Sequence, residues 1–336
     1  MDETQAPLGL FKRRVLINSG KGGVGKSTLT AALALLAARS GKRTLVVEMA
    51  GQCSMAQLLG GDSAGYEIVE RQPNLFTLSV TPEQSMEEYL VRELHSKKLY
   101  QLIFRNRFTG PFVSAVPGLE DLVSIGKVMD LERALDRKGR PSWDIILVDA
   151  PATGQGLNLL RVPRAMMEMT RVGPFYNNTR LIHDMLMDPF RTLLNFVTLP
   201  EEMPTNETID MFRHVHREIH VPMGYVFVNH LRAQPFSLEE AQQLRYVRAS
   251  ARDASTAAHG AGLTEAVGAL IRTVSELNAR ALLERSYVTR LQAEVALPLI
   301  CLPALPTRNL SFPEVETLSH LLTQDLRALS LRGVDP

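Results

Sequence analysis

The chain has 336 residues, and 37 Lys plus Arg against 36 Asp plus Glu leave no global charge that argues for nucleic acid or an anionic membrane surface. A hydrophobic fraction of 45% is ample for one large α/β domain or two smaller ones and excludes long disordered spans. Cys53 and Cys301 stand far apart, which excludes a disulfide framework and any Cys-x-x-Cys site. The acidic start of Met1–Arg14 lacks a signal core and no stretch reaches a membrane-spanning length, so a soluble cytoplasmic protein with residues 1–13 as a tail is expected.

Val15-Leu16-Ile17 reads as a strand, and Leu29–Ala38 as a helix. Between them runs Asn18-Ser19-Gly20-Lys21-Gly22-Gly23-Val24-Gly25-Lys26-Ser27-Thr28. Strand, glycine loop and helix form a phosphate cradle, in which backbone N–H groups converge on one anion and the helix dipole adds to them. Lys26 is placed to reach β- and γ-phosphates, and the Ser27 hydroxyl to sit on Mg²⁺. Gly20 to Thr28 are therefore candidate nucleotide-binding residues. The pattern Lys-Gly-Gly-x-Gly-Lys-Ser resembles the deviant P-loop of the MinD/ParA/ArsA class of ATPases. In that class a second lysine, here Lys21, crosses to the nucleotide of a partner subunit. The resemblance implies a dimer with ATP at its interface.

Thr44–Val47 reads as a buried parallel strand followed by Glu48-Met49-Ala50-Gly51-Gln52-Cys53-Ser54. In the resembled class this loop carries an aspartate that orients the attacking water. Here Glu48 is the nearby carboxylate, and it either takes that catalytic place or caps the strand. Leu75–Val80 is a further strand, and helical spacing dominates from Ser85 to about Asp136. Lys97, Lys98, Arg105 and Arg107 in that stretch read as a solvated face.

Trp143–Asp149 is an apolar run ending in a carboxylate, so Asp149 falls at a strand's C-terminal edge, where it would hold Mg²⁺ through water. Ala150-Pro151-Ala152-Thr153-Gly154-Gln155 follows and looks like the switch II segment of the ArsA family, with Gln155 at the family's histidine position. Gly154 and Gly156 suit a loop that follows a γ-phosphate. Arg164 to Leu194 is helical and contains Met166, Met167, Met169, Met185 and Met187, adaptable side chains suited to an apolar groove or to a core.

Phe196–Glu201 returns to strand character, and Pro200-Glu201-x5-Glu207-Thr208 matches a family spacing. His214, His216 and His220 read as a surface cluster rather than a metal site, with no acidic partner evident. Met223–Asn229 is a strand whose terminal Asn229, by the resemblance, reads the adenine edge. Ser237-Leu238-Glu239-Glu240 is a capping box, Leu297–Pro303 is the last strand with Pro303 flanking the base, and a helix closes the chain from about Pro313 to Arg332.

Together these motifs resemble the ArsA/tail-anchored-protein-targeting ATPase family from about Arg14 to Leu331. The fold expected is a doubly wound, mostly parallel sheet over residues 14–336, with a helical subdomain from about 85–136 and 164–194. The resemblance implies a Mg²⁺-dependent ATP hydrolase coupling nucleotide state to a protein cargo or a membrane-associated partner. One P-loop per chain implies a homodimer or a heterodimer with a paralogue. The alternative is a nucleotide-gated scaffold in the manner of MinD/ParA with slow hydrolysis. Energising of metalloid efflux is disfavoured, because two separated thiols cannot form a three-thiolate site. The targeting branch's Cys-x-x-Cys pair and the switch I aspartate are both absent.

Overall fold

The computed structural model describes residues 9–49, 54–62, 65–94, 117–234, 236–237, 239–240, 243, 261–307 and 309–331. The expected switch I residues 50–53 and the basic residues Lys97, Lys98, Arg105 and Arg107 lie outside them.

Eight strands form one sheet: β1 Val15–Gly20, β2 Thr44–Met49, β3 Val69–Gln72, β4 Leu75–Val80, β5 Ile145–Ala152, β6 Thr192–Thr198, β7 Met223–Leu231 and β8 Leu299–Pro303. Their order is β3-β4-β2-β5-β1-β6-β7-β8, and every pairing is parallel except β3 with β4 at the edge. The described helices are α1 Lys26–Arg39, α2 Ser54–Leu59, α3 Pro82–Leu94, α4 Leu119–Arg133, α5 Thr153–Met169, α6 Pro174–Met187, α7 Glu202–His214, α8 Ala261–Glu294 and α9 Phe312–Leu331.

Strand side chains alternate between two apolar layers, as the two-residue period of a strand requires. Leu16, Tyr225 and Phe227 pack with α1, α2 and α9, whereas Val15, Ile17, Val226 and Val228 pack with α4 to α8. Both faces of the central strands are covered, so they read as unbroken apolar runs. Helix α1 is buried from Thr28 to Ala38, and its alanines allow close approach to the sheet on one side and α9 on the other. The expected tail is packed from Gly9 onward, where a 3₁₀ turn places Leu10 and Phe11 in the α1–α9 layer.

Two boundaries differ from the sequence reading. The strand expected over Phe196–Glu201 runs instead from Thr192 to Thr198, and the chain turns at Pro200 into α7. The switch II segment is not a loop. β5 continues through Ala152, and α5 begins at once with Thr153. Pro151 is tolerated there because β2 pairs with β5 only as far as Glu48↔Asp149, which removes one neighbouring strand from the demand for N–H groups.

Candidate nucleotide site at the strand ends

The C-terminal ends of β1, β2 and β5 open on one cleft of about 450 Å³, within the range of small-ligand sites. Open sheets of this kind bind ligands at that edge. Gly22, Gly23, Gly25, Lys26, Ser27 and Thr28 line one wall. Glu48, Asp149, Ala150, Pro151, Ala152 and Gln155 line the other.

Gly25 enters α1 with φ 91° and ψ 28°, a left-handed conformation that disfavours any residue with a Cβ. A Cβ there would also lie 2.3 Å from Asn229 Nδ2. Asn229 donates from Nδ2 to the Val24 carbonyl at 3.0 Å and accepts the His230 N–H at 2.9 Å. It thus fastens β7 to the glycine loop. An amide has two donors and two lone pairs, so one donor and one acceptor remain for a base edge.

The loop's anchor is a chain of buried amides and hydroxyls. Asn195 donates to Asn18 at 3.0 Å, Asn18 donates to Thr30 at 2.9 Å, and Thr30 donates to the Lys26 carbonyl at 2.9 Å. The Tyr225 N–H closes the other end on Asn195 Oδ1 at 3.1 Å. Asn18 and Asn195 are fully buried, and the chain of bonds satisfies both while tying α1 to β1, β6 and β7.

Lys26 Nζ donates to the Lys21 carbonyl at 3.0 Å. Burial lowers its pKa, and the charge of Asp149 pulls it partly back. Ser27 Oγ donates to Asp149 Oδ2 at 2.6 Å. Burial pushes the Asp149 carboxyl up to about 6, opposed by the Ser27 hydrogen bond and Lys26, with the Glu48 charge adding to the rise. Its other oxygen, Oδ1, is buried and makes no hydrogen bond. A hydroxyl beside a carboxylate with a spare buried oxygen suits a hard divalent cation such as Mg²⁺, which binds through one or two protein oxygens and keeps several waters.

Several expected residues stand elsewhere. Lys21 is paired with Glu207 of the same chain, in α7, rather than turned into the cleft. Val24 is buried in the core, and its carbonyl is what serves the loop. Gly20 is pressed against the Val197 backbone, and Thr153 and Gly154 belong to the first turn of α5. Pro303 is exposed at the end of β8 beside Leu231 and does not line the cleft. The methionines do not form a continuous stripe, because Met166 and Met185 are core residues while Met169 is 71% exposed. His214 does have an acidic partner, Glu218 at 3.0 Å, and the (i, i+4) spacing is a signal that could have found it. Among the described residues no group of three or more His, Cys, Asp or Glu is arranged to hold a metal. The capping box is present, with Glu240 N–H on Ser237 Oγ at 3.2 Å and Ser237 N–H on Glu240 at 2.8 Å.

A glycine loop opening a helix, with its lysine and serine facing a strand-end carboxylate, is the architecture of a P-loop fold of the α/β class. The sequence carries the comparison further. Residues 13–174 match the family model described as anion-transporting ATPase, about 48% of the chain. It is 31% identical over 222 residues to the ATPase BagA of Mycobacterium tuberculosis, covering 64% of each chain. It is 28% identical over 151 residues to the ATPase ASNA1 homolog 1 of Paramecium tetraurelia, covering 44% of this chain and 43% of that one. With the ATPase GET3B of Arabidopsis thaliana it shares 29% over 178 residues, or 45% and 40% of the two chains. The chain thus spans less than two thirds of the length of these relatives.

Proposed function

We propose that the protein is a Mg²⁺-dependent ATP hydrolase that works as a dimer and couples its nucleotide state to a protein partner. The observation that carries this reading is the Ser27–Asp149 contact beside Lys26, with the unpartnered Asp149 Oδ1 next to it. The relatives named as ATPases support the same chemistry.

In this reading the β- and γ-phosphates take the Lys26 ammonium from the Lys21 carbonyl, and the N–H groups of the Gly22–Thr28 turn close around them. Ser27 and, through water, Asp149 hold Mg²⁺, which when bound neutralises charge on the phosphate oxygens. Glu48, buried in β2 beside Asp149, adds negative charge on the metal side. The remaining donor and acceptor of Asn229 read the adenine. Ala150 to Gln155 lie along the cleft wall where β5 passes into α5, so a change there moves α5 as a body. Lys21 leaves Glu207 and crosses to the nucleotide of a second copy or a paralogue.

Apolar surface around the α5–α6 connection supports a protein partner: Met169 is 71% and Val172 84% exposed. Among the described residues no helix is long and apolar enough to cross a membrane, so a membrane-associated partner would be met from outside the bilayer. The reading places the protein in the cytoplasm.

Purified protein is tested for Mg²⁺-ATP binding by calorimetry and for phosphate release. Binding with slow turnover is expected, and Lys26→Ala is expected to weaken binding by about 100-fold or more, the scale of losing a charge-assisted contact in a buried site. A Lys26→Ala protein that binds Mg²⁺-ATP as the unsubstituted chain does would remove the basis for this function. Tight binding with no phosphate release would favour the scaffold alternative.

A further inference from the structure

A water attacking the γ-phosphate needs an acceptor to orient it if the chain hydrolyses ATP, and among the described residues lining the cleft Glu48, Asp149 and Gln155 offer one beside the Ser27 and Thr28 hydroxyls. Glu48 is poorly suited. It is 4% exposed, sits within β2 in register with Asp149, and adds to the negative charge around that carboxylate.

Gln155 differs on each count. It lies in the first turn of α5, lines the cleft with Lys26, Ser27 and Asp149, and is solvent-exposed there. It carries no charge. Its side chain is within reach of the Asp121 carboxyl in the first turn of α4. An ionised carboxylate only accepts, so the Gln155 amide donates through Nε2 and keeps Oε1 as a free-standing acceptor. An amide held by its nitrogen presents its oxygen in a defined place. That oxygen can accept a hydrogen bond from a water whose lone pair then faces phosphorus.

We propose that Gln155 orients the attacking water for ATP hydrolysis, and that Asp121 is the residue that positions it. The proposal rests on the ATPase reading above. In the step, the water oxygen forms a bond to the γ-phosphorus, and the bond from that phosphorus to the β–γ bridging oxygen breaks with its electron pair left on ADP. One water proton stays on the phosphate as hydrogen phosphate and the other passes to solvent. Gln155 takes no proton and acts by orientation alone, as an amide does in other P-loop enzymes. The carboxylate of Asp121 is partly buried, and burial raises its pKa while the bond from Gln155 lowers it, as expected for an amide donating to the charged form.

The test compares Gln155→Ala, Asp121→Ala, Asp121→Asn and Glu48→Gln for kcat, for affinity toward a non-hydrolysable ATP analogue with Mg²⁺, and for affinity toward ADP with aluminium fluoride, a mimic of the transferring phosphoryl group. Gln155→Ala is expected to lose about 100-fold in kcat and at least tenfold in affinity for the mimic, with analogue affinity kept within about twofold. Asp121→Ala is expected to lose about tenfold in kcat, and Asp121→Asn to recover most of it, because its amide oxygen still accepts from Gln155 Nε2. Unchanged turnover and mimic affinity in Gln155→Ala would overturn the proposal, as would loss of turnover in Glu48→Gln at unchanged metal affinity. If the unsubstituted chain itself releases no phosphate, the ATPase reading fails and takes this one with it. If it turns over and Gln155→Ala does too, only the assignment to Gln155 falls.

Discussion

Asp149 shows what one buried carboxylate costs a site built to receive a cation. Its pKa of about 6 stands above the ordinary 3.8, because burial disfavours the charged form. A raised acid holds its proton more tightly in the folded state than in the unfolded one. Its contribution to stability is therefore fully present below about 3.8, falls as pH rises through about 6, and is absent above that. At about 1.4 kcal/mol per pH unit the loss is on the order of 3 kcal/mol. Asp149→Asn is accordingly expected to raise the melting temperature of the ligand-free protein at pH 7.5 by ~2–5 °C and to abolish the further rise that Mg²⁺ with ATP analogue gives the unsubstituted chain. Thermal melts with and without ligand check both halves, and an Asn variant that melts lower when ligand-free would contradict the account. The same residue was legible in the sequence, since an apolar run ending in a carboxylate marks a strand edge. Glu207 as the partner of Lys21 was not, because 186 positions separate them and no periodicity connects a loop lysine to a distant helix.

At the scale of elements, the junction of β5 with α5 decides how the cleft can signal. Gly154 and Gly156 made the segment look like a loop, yet α5 runs unbroken through Pro163 from Thr153 to Met169. Gly156 is the reason the helix can start so close to the sheet. A Cβ there would come within 2.8 Å of Ser19 Oγ and 3.1 Å of the Pro151 carbonyl. Gly156→Ala is expected to push α5 away from β1, lowering stability by about 1–3 kcal/mol, the usual range for an overpacked core contact. A denaturant midpoint shifted down with an unchanged slope is the expected result, and an unshifted midpoint would show that α5 does not need that close approach. Methionine content left groove and core both open for a related reason. Composition cannot say which face of a helix is covered, and the sheet claims Met166 and Met185.

For the whole molecule, the layers follow from strand runs that are apolar on both faces, which were readable residue by residue, whereas the partly exposed edge strand β3 and the strand order were not. The proposed assembly rests on Lys21 alone. In the single chain this lysine rests on Glu207, a partly exposed pair worth no more than about 1 kcal/mol. Such a contact holds the side chain while no triphosphate competes and gives way when one does. Sedimentation velocity of the purified chain, with Mg²⁺ and a non-hydrolysable ATP analogue at saturation, tests this directly. The account expects monomer without ligand and dimer with it, and expects Lys21→Ala to bind the analogue yet stay monomeric. A ligand-saturated, unsubstituted chain that sediments as a monomer would contradict it.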